Sequence, residues 1–316
     1  MAGKDKERKQ RWLKLTLSVP EALREAISNF MIEIGAQGVY EETLEPWTPN
    51  DLPEPAGNGV VYAYLPCDSH LENRILRLEK YIESLADLFP ALEKIRFLRD
   101  TIEDPDWGEQ WKKYFKPLRV GRGIVIKPTW ERYTPQGGDT VIEIDPGMAF
   151  GTGQHASTRM CLEALEEVIA KDRETTAREV LDVGTGTGIL GITCAKLGAE
   201  KVLCLDVDRK AVGIARENIQ MNDVADRVKA VNRDVASLKD SFDLIVANLT
   251  EKIHTKLKPT LVALLRPRGY LIISGIIVEN RDMIEKSFLT GSLVLHRLLT
   301  EKEWLCYVLK KEEGCP

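Results

Sequence analysis

Three closely spaced glycines give the strongest indication of chemistry in this chain. They lie in Val180-Leu-Asp-Val-Gly-Thr-Gly-Thr-Gly-Ile-Leu-Gly191, where a short apolar strand leads through glycines into a helix. Counted from Gly184, the spacing is Gly-x-Gly-x-Gly, which is typical of S-adenosylmethionine (SAM) enzymes. Counted from Gly186, it is the Gly-x-Gly-x-x-Gly of dinucleotide enzymes. Both interpretations bring backbone N–H groups close to a ligand, where they favour a carboxylate. A tight structural turn is the alternative.

Polar residues also end the following strands of the pattern, where ligands of open parallel sheets bind. Asp206 ends the second strand, and its carboxylate suits the ribose hydroxyls of either SAM or NAD. Asp208 is expected to cap the next helix. Asp234 follows the third strand and either meets an adenine amino group or belongs to a simple turn. Asn248 ends the fourth strand and either faces the reacting end of the cofactor or binds a neighbouring loop.

A second glycine-rich segment, IDPGMAFGTGQHASTR at 144–159, precedes this pattern. It has no Gly-Lys-Ser/Thr and is therefore not a phosphate-binding P-loop. Glycines around Phe150 suit a loop that folds over a ligand. Thr158 begins a helix, and its hydroxyl either caps that helix or reaches the cofactor. His155 is either a base or, as we expect, a histidine at the helix start bound to backbone.

The composition is that of an ordinary globular protein. The 316 residues include 43% hydrophobic and 29% charged residues and carry a net charge of -5, and this length suits two domains. Mild acidity argues against a general nucleic-acid binder, and we expect no direct sequence-specific contact with nucleic acid. The apolar runs are shorter than the roughly 20 residues that span a bilayer, and nothing resembles a secretory signal. We therefore expect a cytoplasmic protein.

The six cysteines and four histidines do not form a metal-binding pattern. No Cys-x-x-Cys pair occurs, and four cysteines lie in apolar segments, which predicts buried thiols rather than disulfides or zinc ligands. With so few histidines, we expect no metal site.

The first hundred residues predict a small α+β domain. Residues 1–10 are charged and non-periodic, which predicts a disordered N-terminus. Residues 11–103 follow in the order βαββαβ, which fits a ferredoxin-like domain, a scaffold used for many functions. Residues 104–117 predict a linker helix with aromatic residues at helical spacing. Its aromatic side is expected to pack against a domain surface, and substrate contact through its lysines is the alternative.

Residues 118–316 predict a doubly wound α/β domain. A hairpin across 135–138 is expected first, and helices and strands alternate thereafter, with a turn at 267–269 before the fifth parallel strand. Strands at 293–299 and 303–310 end the pattern. Only a few polar residues separate these two strands, so they must pair antiparallel. This terminal hairpin favours the methyltransferase architecture over a dinucleotide fold built from two equivalent halves.

Four motifs together resemble those of one enzyme family. They are DPGMAFGTGQHASTR (145–159), VLDVGTGTGILG (180–191), LDVD (205–208) and VANLT (246–250). In sequence and spacing they closely resemble the ribosomal protein L11 methyltransferase family, PrmA. The first half of the chain also resembles that family's substrate-recognition domain and connector. Gln154 and Ala156-Ser157 depart from the residues that are common in the family.

The resemblance implies a SAM-dependent protein methyltransferase whose cofactor is SAM. The implied partner is the ribosomal large-subunit protein L11, free or in the ribosome, with lysine side chains as acceptors and the N-terminal amine as a further candidate. Candidate cofactor contacts are Thr158, Gly184, Asp206 and Asn248, matched by position to the family, and additionally Phe150, Gly186 and Asp234.

The acceptor amine must lose a proton before it can attack. A lysine with a pKa near 10.4 is protonated at neutral pH and has no free lone pair. A cationic sulfonium and partial desolvation both lower the pKa of the amine, so we name no catalytic base. Asn248 is followed by Leu-Thr-Glu rather than Pro-Pro-aromatic. A stacking platform for planar nitrogens is thus missing from the motif, which favours an aliphatic amine.

Three other hypotheses stay open at this point. They are a lysine methyltransferase of another protein, an NAD-dependent oxidoreductase and a catalytically silent binding module. The terminal hairpin and Asn248 oppose the oxidoreductase. The presence of all four matched contacts opposes the silent module.

Overall fold

A computed structural model of the chain describes residues 11–42, 58–88, 95–102, 115–145, 153–171 and 178–313. The described residues fall into two compact units, one up to residue 115 and the other from residue 116. Three predictions concern residues outside this description: the N-terminal segment 1–10, most of the linker helix, and the loop with Phe150. Residues 115–117 of the predicted linker are described and are not helical. The domain boundaries stay predictions.

The first unit contains six elements in the predicted order βαββαβ. They are β1 (Trp12–Pro20), α1 (Glu21–Glu33), β2 (Gln37–Glu42), β3 (Asn58–Pro66), α2 (Leu71–Leu88) and β4 (Arg96–Ile102). The strands form one antiparallel sheet in the order β2-β3-β1-β4. Alternate residues of β1, such as Leu15 and Leu17, are buried with Ile27 of α1 and Leu78 of α2. The element order is confirmed, and the ferredoxin-like classification stays a prediction.

A three-stranded sheet opens the second unit and corrects one prediction. Its strands are β5 (Leu118–Val120), β6 (Ile124–Lys127) and β7 (Thr140–Glu143). β5 and β6 form a hairpin, whereas β6 and β7 pair in parallel. The hairpin predicted across 135–138 is therefore wrong. A local turn does occur there, with Asp139 N donating to the Gln136 carbonyl at 3.0 Å. It lies inside a crossover that is long enough for a parallel return.

The rest of the second unit alternates helices and strands. Its helices are α3 (Ala156–Lys171), α4 (Ile189–Lys196), α5 (Arg209–Met221), α6 (Glu251–Leu264) and α7 (Arg281–Phe288). Its strands are β8 (Glu179–Val183), β9 (Lys201–Asp206), β10 (Val228–Asn232), β11 (Phe242–Asn248), β12 (Leu265–Ile277), β13 (Leu293–Glu301) and β14 (Trp304–Lys311). They form one sheet in the order β10-β9-β8-β11-β12-β14-β13. β14 runs antiparallel to β12 and β13, so the predicted terminal hairpin is confirmed.

Helices cover both faces of this sheet, as a doubly wound fold requires. Val180 of β8 packs into one core with side chains of α3, α4 and α5, and its neighbour Leu181 packs into another with side chains of α6 and α7. Strands that are buried on both faces have polar residues mainly at their ends. The predicted doubly wound α/β fold is therefore confirmed.

The turn predicted at 267–269 lies inside β12. Leu265 and Tyr270 both pair with β11, at residues only two positions apart. The residues between them form a bulge, in which Arg268 has a φ of +64°. The prediction that the strand begins after a separate turn is wrong, because both sides of the bulge pair with the same neighbouring strand.

The strand order changes direction at β8, with β9 on one side and β11 on the other. In open parallel sheets this arrangement leaves a crevice at the carboxyl ends of the strands, where ligands bind. Gly184 follows β8, Asp206 ends β9 and Asn248 ends β11. The fold therefore brings three of the predicted residues to one edge of the sheet.

The packing of α4 on the sheet generates a first prediction. A Cβ on Gly191 would lie 2.2 Å from the Sγ of Cys204 in β9, closer than any ordinary contact. We expect Gly191→Ala to lower the free energy of unfolding by about 1–3 kcal/mol, because the core must move to admit a methyl group. Denaturant titration followed by circular dichroism measures the change.

Gly213→Ala is the matched control. Gly213 lies in α5, and a Cβ there would meet nothing within 4 Å. Alanine is expected to raise the free energy of unfolding by roughly 0.4–1 kcal/mol, because it reduces the entropy of the unfolded chain. Equal effects of the two substitutions would contradict the close packing of α4.

Candidate active site

The glycine loop joins β8 to α4 in a left-handed backbone conformation. Gly184, Gly186 and Gly188 have φ values of +73°, +54° and +85°, which favour glycine. A Cβ on Gly184 would lie 2.5 Å from the Cδ2 of Leu249. The N–H of Gly188 donates to the Thr185 carbonyl at 2.8 Å. The loop is therefore a tight turn that requires glycine.

The N–H groups of the loop are bound within the protein. Gly184 and Thr185 both donate to the Leu205 carbonyl, at 2.8 and 2.9 Å, and Gly186 donates to Asp206 Oδ2 at 3.0 Å. The prediction that these N–H groups meet a ligand carboxylate is wrong, because the turn directs them to the end of β9. Among the described residues, no backbone N–H outside the regular helices and strands donates to the carbonyl oxygens of Gly184 and Gly186.

Two buried side chains that the sequence analysis missed support the loop. Asp182 of β8 accepts hydrogen bonds at Oδ2 from Thr185 Oγ1 at 2.5 Å and from Gly191 N at 3.1 Å. Burial raises the pKa of the Asp182 carboxyl to about 6. Asn218 of α5 donates to the Thr187 carbonyl at 2.8 Å. A charged residue inside an apolar strand is the signal that could have identified Asp182, whereas Asn218 has no comparable signal.

Asp206 ends β9 with its carboxylate against the glycine loop. Oδ1 accepts the N–H of Asp208 at 2.9 Å, while Oδ2 accepts that of Gly186. Asp206 is half-buried, and each carboxylate oxygen has a further lone pair for a ligand. The adjacent Val207 is 79% exposed. The sequence analysis did not identify Val207 as a candidate contact, because single exposed apolar residues are common.

Two other aspartates cap helical segments. Asp208 Oδ1 accepts from Lys210 N at 2.8 Å and caps α5, as predicted. Asp234 Oδ1 accepts from Ala236 N at 2.9 Å and caps a single 3-10 turn. Asp234 thus has the turn role, and its contact with adenine stays a prediction.

Asn248 and Thr158 are brought together by the fold. Asn248 Nδ2 donates to Thr158 Oγ1 at 3.2 Å. Thr158 is 1% exposed and lies in the first turn of α3, which begins at Ala156. Its hydroxyl therefore does not cap the helix. Two predicted SAM contacts from distant parts of the chain share one hydrogen bond at the edge of the sheet.

His155 lies at the start of α3 and binds backbone, as we expected. Its Nδ1 accepts the N–H of Ser157 at 3.2 Å and lies 2.6 Å from Ser157 Oγ. Its ring meets Trp304 edge to face, with the centroids 4.8 Å apart. A nitrogen that accepts a backbone hydrogen bond carries no proton. The geometry therefore gives His155 a structural contact rather than the role of a base.

An ion pair connects the start of α3 to the terminal hairpin. Arg159 Nε donates to Glu301 Oε1 at 3.1 Å. The first turn of α3 is thus held by β11 through Asn248 and by the hairpin through Glu301. This arrangement fixes Thr158 relative to the edge of the sheet.

Thiols are buried in this unit. Cys161, Cys194, Cys204 and Cys306 are buried and free, as predicted, and burial raises the pKa of the first three. Among the described residues, no three His, Cys, Asp or Glu side chains lie together as a metal site would require. No helix within the described ranges is long and apolar enough to cross a membrane.

Known proteins are similar to this chain in sequence and in fold. The family model "Ribosomal protein L11 methyltransferase (PrmA)" matches residues 11–312. The ribosomal protein L11 methyltransferase of Geobacter metallireducens is 38% identical over 296 residues, which cover 93% of this chain and 96% of that protein. The ribosomal protein L11 methyltransferase of Pelobacter propionicus is 35% identical over 303 residues, which cover 95% of this chain and 98% of that protein.

A crystal structure gives the same result for the fold. The ribosomal protein L11 methylase of Lactobacillus delbrueckii subsp. bulgaricus superposes with a TM-score of 0.56 and 30% identity. The match covers 63% of this chain and 100% of that chain. Because the family model spans nearly the whole sequence, the chain belongs to the ribosomal protein L11 methyltransferase family.

Proposed function

We propose that this protein transfers methyl groups from SAM to amino groups of ribosomal protein L11. Membership of the family makes it a SAM-dependent protein methyltransferase, as predicted. The relatives are named for their action on L11. The residues that hold SAM and the amines that receive the methyl group are the new parts of the proposal.

One observation carries the proposal: two hydrogen bonds join residues from different elements along one edge of the sheet. Gly186 binds Asp206, and Asn248 binds Thr158. Gly184 closely approaches Leu249, the neighbour of Asn248. A carboxylate thus lies at one end of this edge and an amide–hydroxyl pair at the other. SAM has a ribose at one end and a reactive sulfonium further along, which supports this orientation.

The groups at the β8–β9 end fit the nucleoside and the ammonium of SAM. Asp206 would accept hydrogen bonds from the ribose hydroxyls, and Val207 would give the adenine an apolar contact. Asp234 would accept from the adenine amino group. The carbonyl oxygens of Gly184 and Gly186 would accept from the ammonium, because carbonyls suit a cationic donor.

The groups at the β11 end fit the reacting centre. SAM, when bound, supplies a methyl group activated by the sulfonium. Thr158 Oγ1 orients the Asn248 amide through Nδ2, so that Asn248 Oδ1 would accept an N–H of the acceptor amine and orient its lone pair. Phe150 would cover the cofactor and exclude water. Such positioning acts on an amine that has already lost its proton, and we propose no catalytic base.

We also propose that the first unit recognises the protein substrate. L11 would be bound free or in the ribosome, and the reaction would take place in the cytoplasm. The L11 protein itself, rather than a nucleic-acid sequence, would supply the specificity.

The assignment of Asp206 generates a prediction for cofactor binding. We expect Asp206→Asn to raise the dissociation constant of SAM by about 10- to 100-fold, because hydrogen bonds to a charged group contribute about 1.5–3 kcal/mol. Isothermal titration calorimetry with SAM measures the change. Unaltered affinity would exclude Asp206 as a cofactor contact.

Asp208→Ala is the control for that variant. Asp208 caps α5 through Lys210 N, so its loss is expected to lower the free energy of unfolding by about 1 kcal/mol. The affinity for SAM should stay at the wild-type value. Equal losses of affinity in both variants would indicate a damaged loop rather than a lost contact.

The substrate is tested by labelling. Incubation with methyl-labelled SAM and ribosomal large subunits is expected to label L11, and mass spectrometry should place the methyl groups on amines. Gly184→Arg should abolish the transfer, because a side chain at Gly184 meets Leu249 and φ there is +73°. Label on another protein would replace L11 as the substrate. Methylated glutamine or adenine would contradict an amine acceptor.

A further inference from the structure

A buried histidine lies directly behind the turn that carries Asn248. His254 is in the first turn of α6 and is completely buried. Its Nε2 lies 2.8 Å from the Ser274 carbonyl oxygen. A carbonyl only accepts hydrogen bonds, so Nε2 carries the proton. Burial lowers the pKa of His254 to about 4, which keeps the imidazole neutral near pH 7.

The same carbonyl binds the neighbour of Asn248. Leu249 N donates to the Ser274 carbonyl at 3.0 Å, and Ser274 is the register partner of Asn248 in β12. His254 N also donates to the Thr250 carbonyl at 3.0 Å. His254 is therefore bonded to two neighbouring segments. Its side chain binds β12 at Ser274, and its backbone N–H binds the turn after Asn248 at Thr250.

β12 has a second bulge at this point. Its register against β14 shifts between Ile273 and Ile276, and Gly275 has a φ of +81°. A Cβ on Gly275 would lie 2.6 Å from the Leu249 carbonyl oxygen and 2.9 Å from Asn248 Oδ1. The bulge therefore lies directly against the Asn248 amide, on the side away from Thr158. Bulges beside active sites commonly direct a side chain in this way.

We infer that His254 is a positioning residue that acts through Asn248. Its Nε2–H holds the Ser274–Gly275 bulge against Leu249, and the bulge together with Thr158 fixes the orientation of the Asn248 amide. The inference rests on the proposed function in one respect, namely that Asn248 faces the reacting groups.

The second imidazole nitrogen of His254 allows this positioning role to be distinguished from simple core packing. His254 Nδ1 is buried and lacks a hydrogen bond of good geometry among the described residues, with the Leu249 backbone close to the ring. A buried polar atom without a partner destabilises the folded protein, whereas a leucine of similar size would not. We therefore expect that replacing the imidazole by an apolar side chain does not lower the free energy of unfolding. Replacement by leucine should separate stability from activity.

The test compares His254→Leu with His254→Gln, each alone and combined with Asn248→Ala. Glutamine keeps an N–H that can reach the Ser274 carbonyl, and leucine does not. Single-turnover methyl transfer to L11, thermal unfolding and hydrogen exchange of the Leu249 amide are measured in each variant. The exchange measurement needs no substrate, so it tests the positioning even if the proposed methyl transfer fails.

We expect His254→Leu to reduce the single-turnover rate by about 10- to 100-fold, as misplaced reacting groups do. The melting temperature should stay unchanged or rise, and the Leu249 amide should exchange faster. Glutamine should restore most of the rate. In the Asn248→Ala background, His254→Leu should cause little further loss, because the two residues act as a unit.

Three results would overturn the inference. The first is a His254→Leu variant with wild-type rate and wild-type protection of the Leu249 amide. The second is a loss of rate that is equally large when Asn248 is already alanine. The third is a loss of rate that accompanies a lower melting temperature in both the leucine and the glutamine variant, which would assign His254 to the core alone.

Discussion

The Leu205 carbonyl oxygen, at the end of β9, accepts the N–H groups of both Gly184 and Thr185, and the β8–β9 end of the proposed site depends on this shared acceptor. It ties the loop after β8 to the neighbouring strand and brings Gly186 to the carboxylate of Asp206. The turn that makes this possible requires left-handed backbone, and therefore glycine. The proposed cofactor contacts at this end are thus positioned largely by backbone geometry.

On the β11 side of β8, the Ser274 carbonyl is likewise an acceptor shared by two N–H groups. It accepts from Leu249 N and from His254 Nε2, and Asn248 lies between these contacts and Thr158. Strand pairing fixes both carbonyls, so the distance between the two ends of the site is set by the sheet. A transferase needs this constancy, because a small misplacement of the reacting groups costs much of the rate.

Local patterns predicted the α/β fold well, because buried parallel strands are short apolar runs with clear ends. The strands predicted at 179–183 and 201–206 have those bounds in the structure. The hairpin at 135–138 and the turn at 267–269 were wrong, because turn residues do not show which strands pair. The bonding of the glycine N–H groups was also mispredicted, since it depends on Leu205, which is distant in the sequence. The positions of Gly184, Asp206 and Asn248 along the sheet edge followed from strand ends, whereas Thr158, in a helix, was predicted from its motif and the family resemblance.

The choice between SAM and a dinucleotide, which the glycine spacing left open, has an electrostatic basis. Gly191 packs closely on β9, but a dinucleotide fold needs the same close packing, so this glycine does not decide. The charges around the glycine loop do distinguish the two cofactors. Its N–H groups at 184–186 are already bound, and the carboxylate of Asp182 lies beneath it. Asp206 suits the ribose of either cofactor and does not decide, but a pyrophosphate would find bound donors and the like charge of Asp182, whereas the ammonium of SAM is attracted to that charge. The loop that resembles a phosphate-binding site therefore favours a cationic ligand.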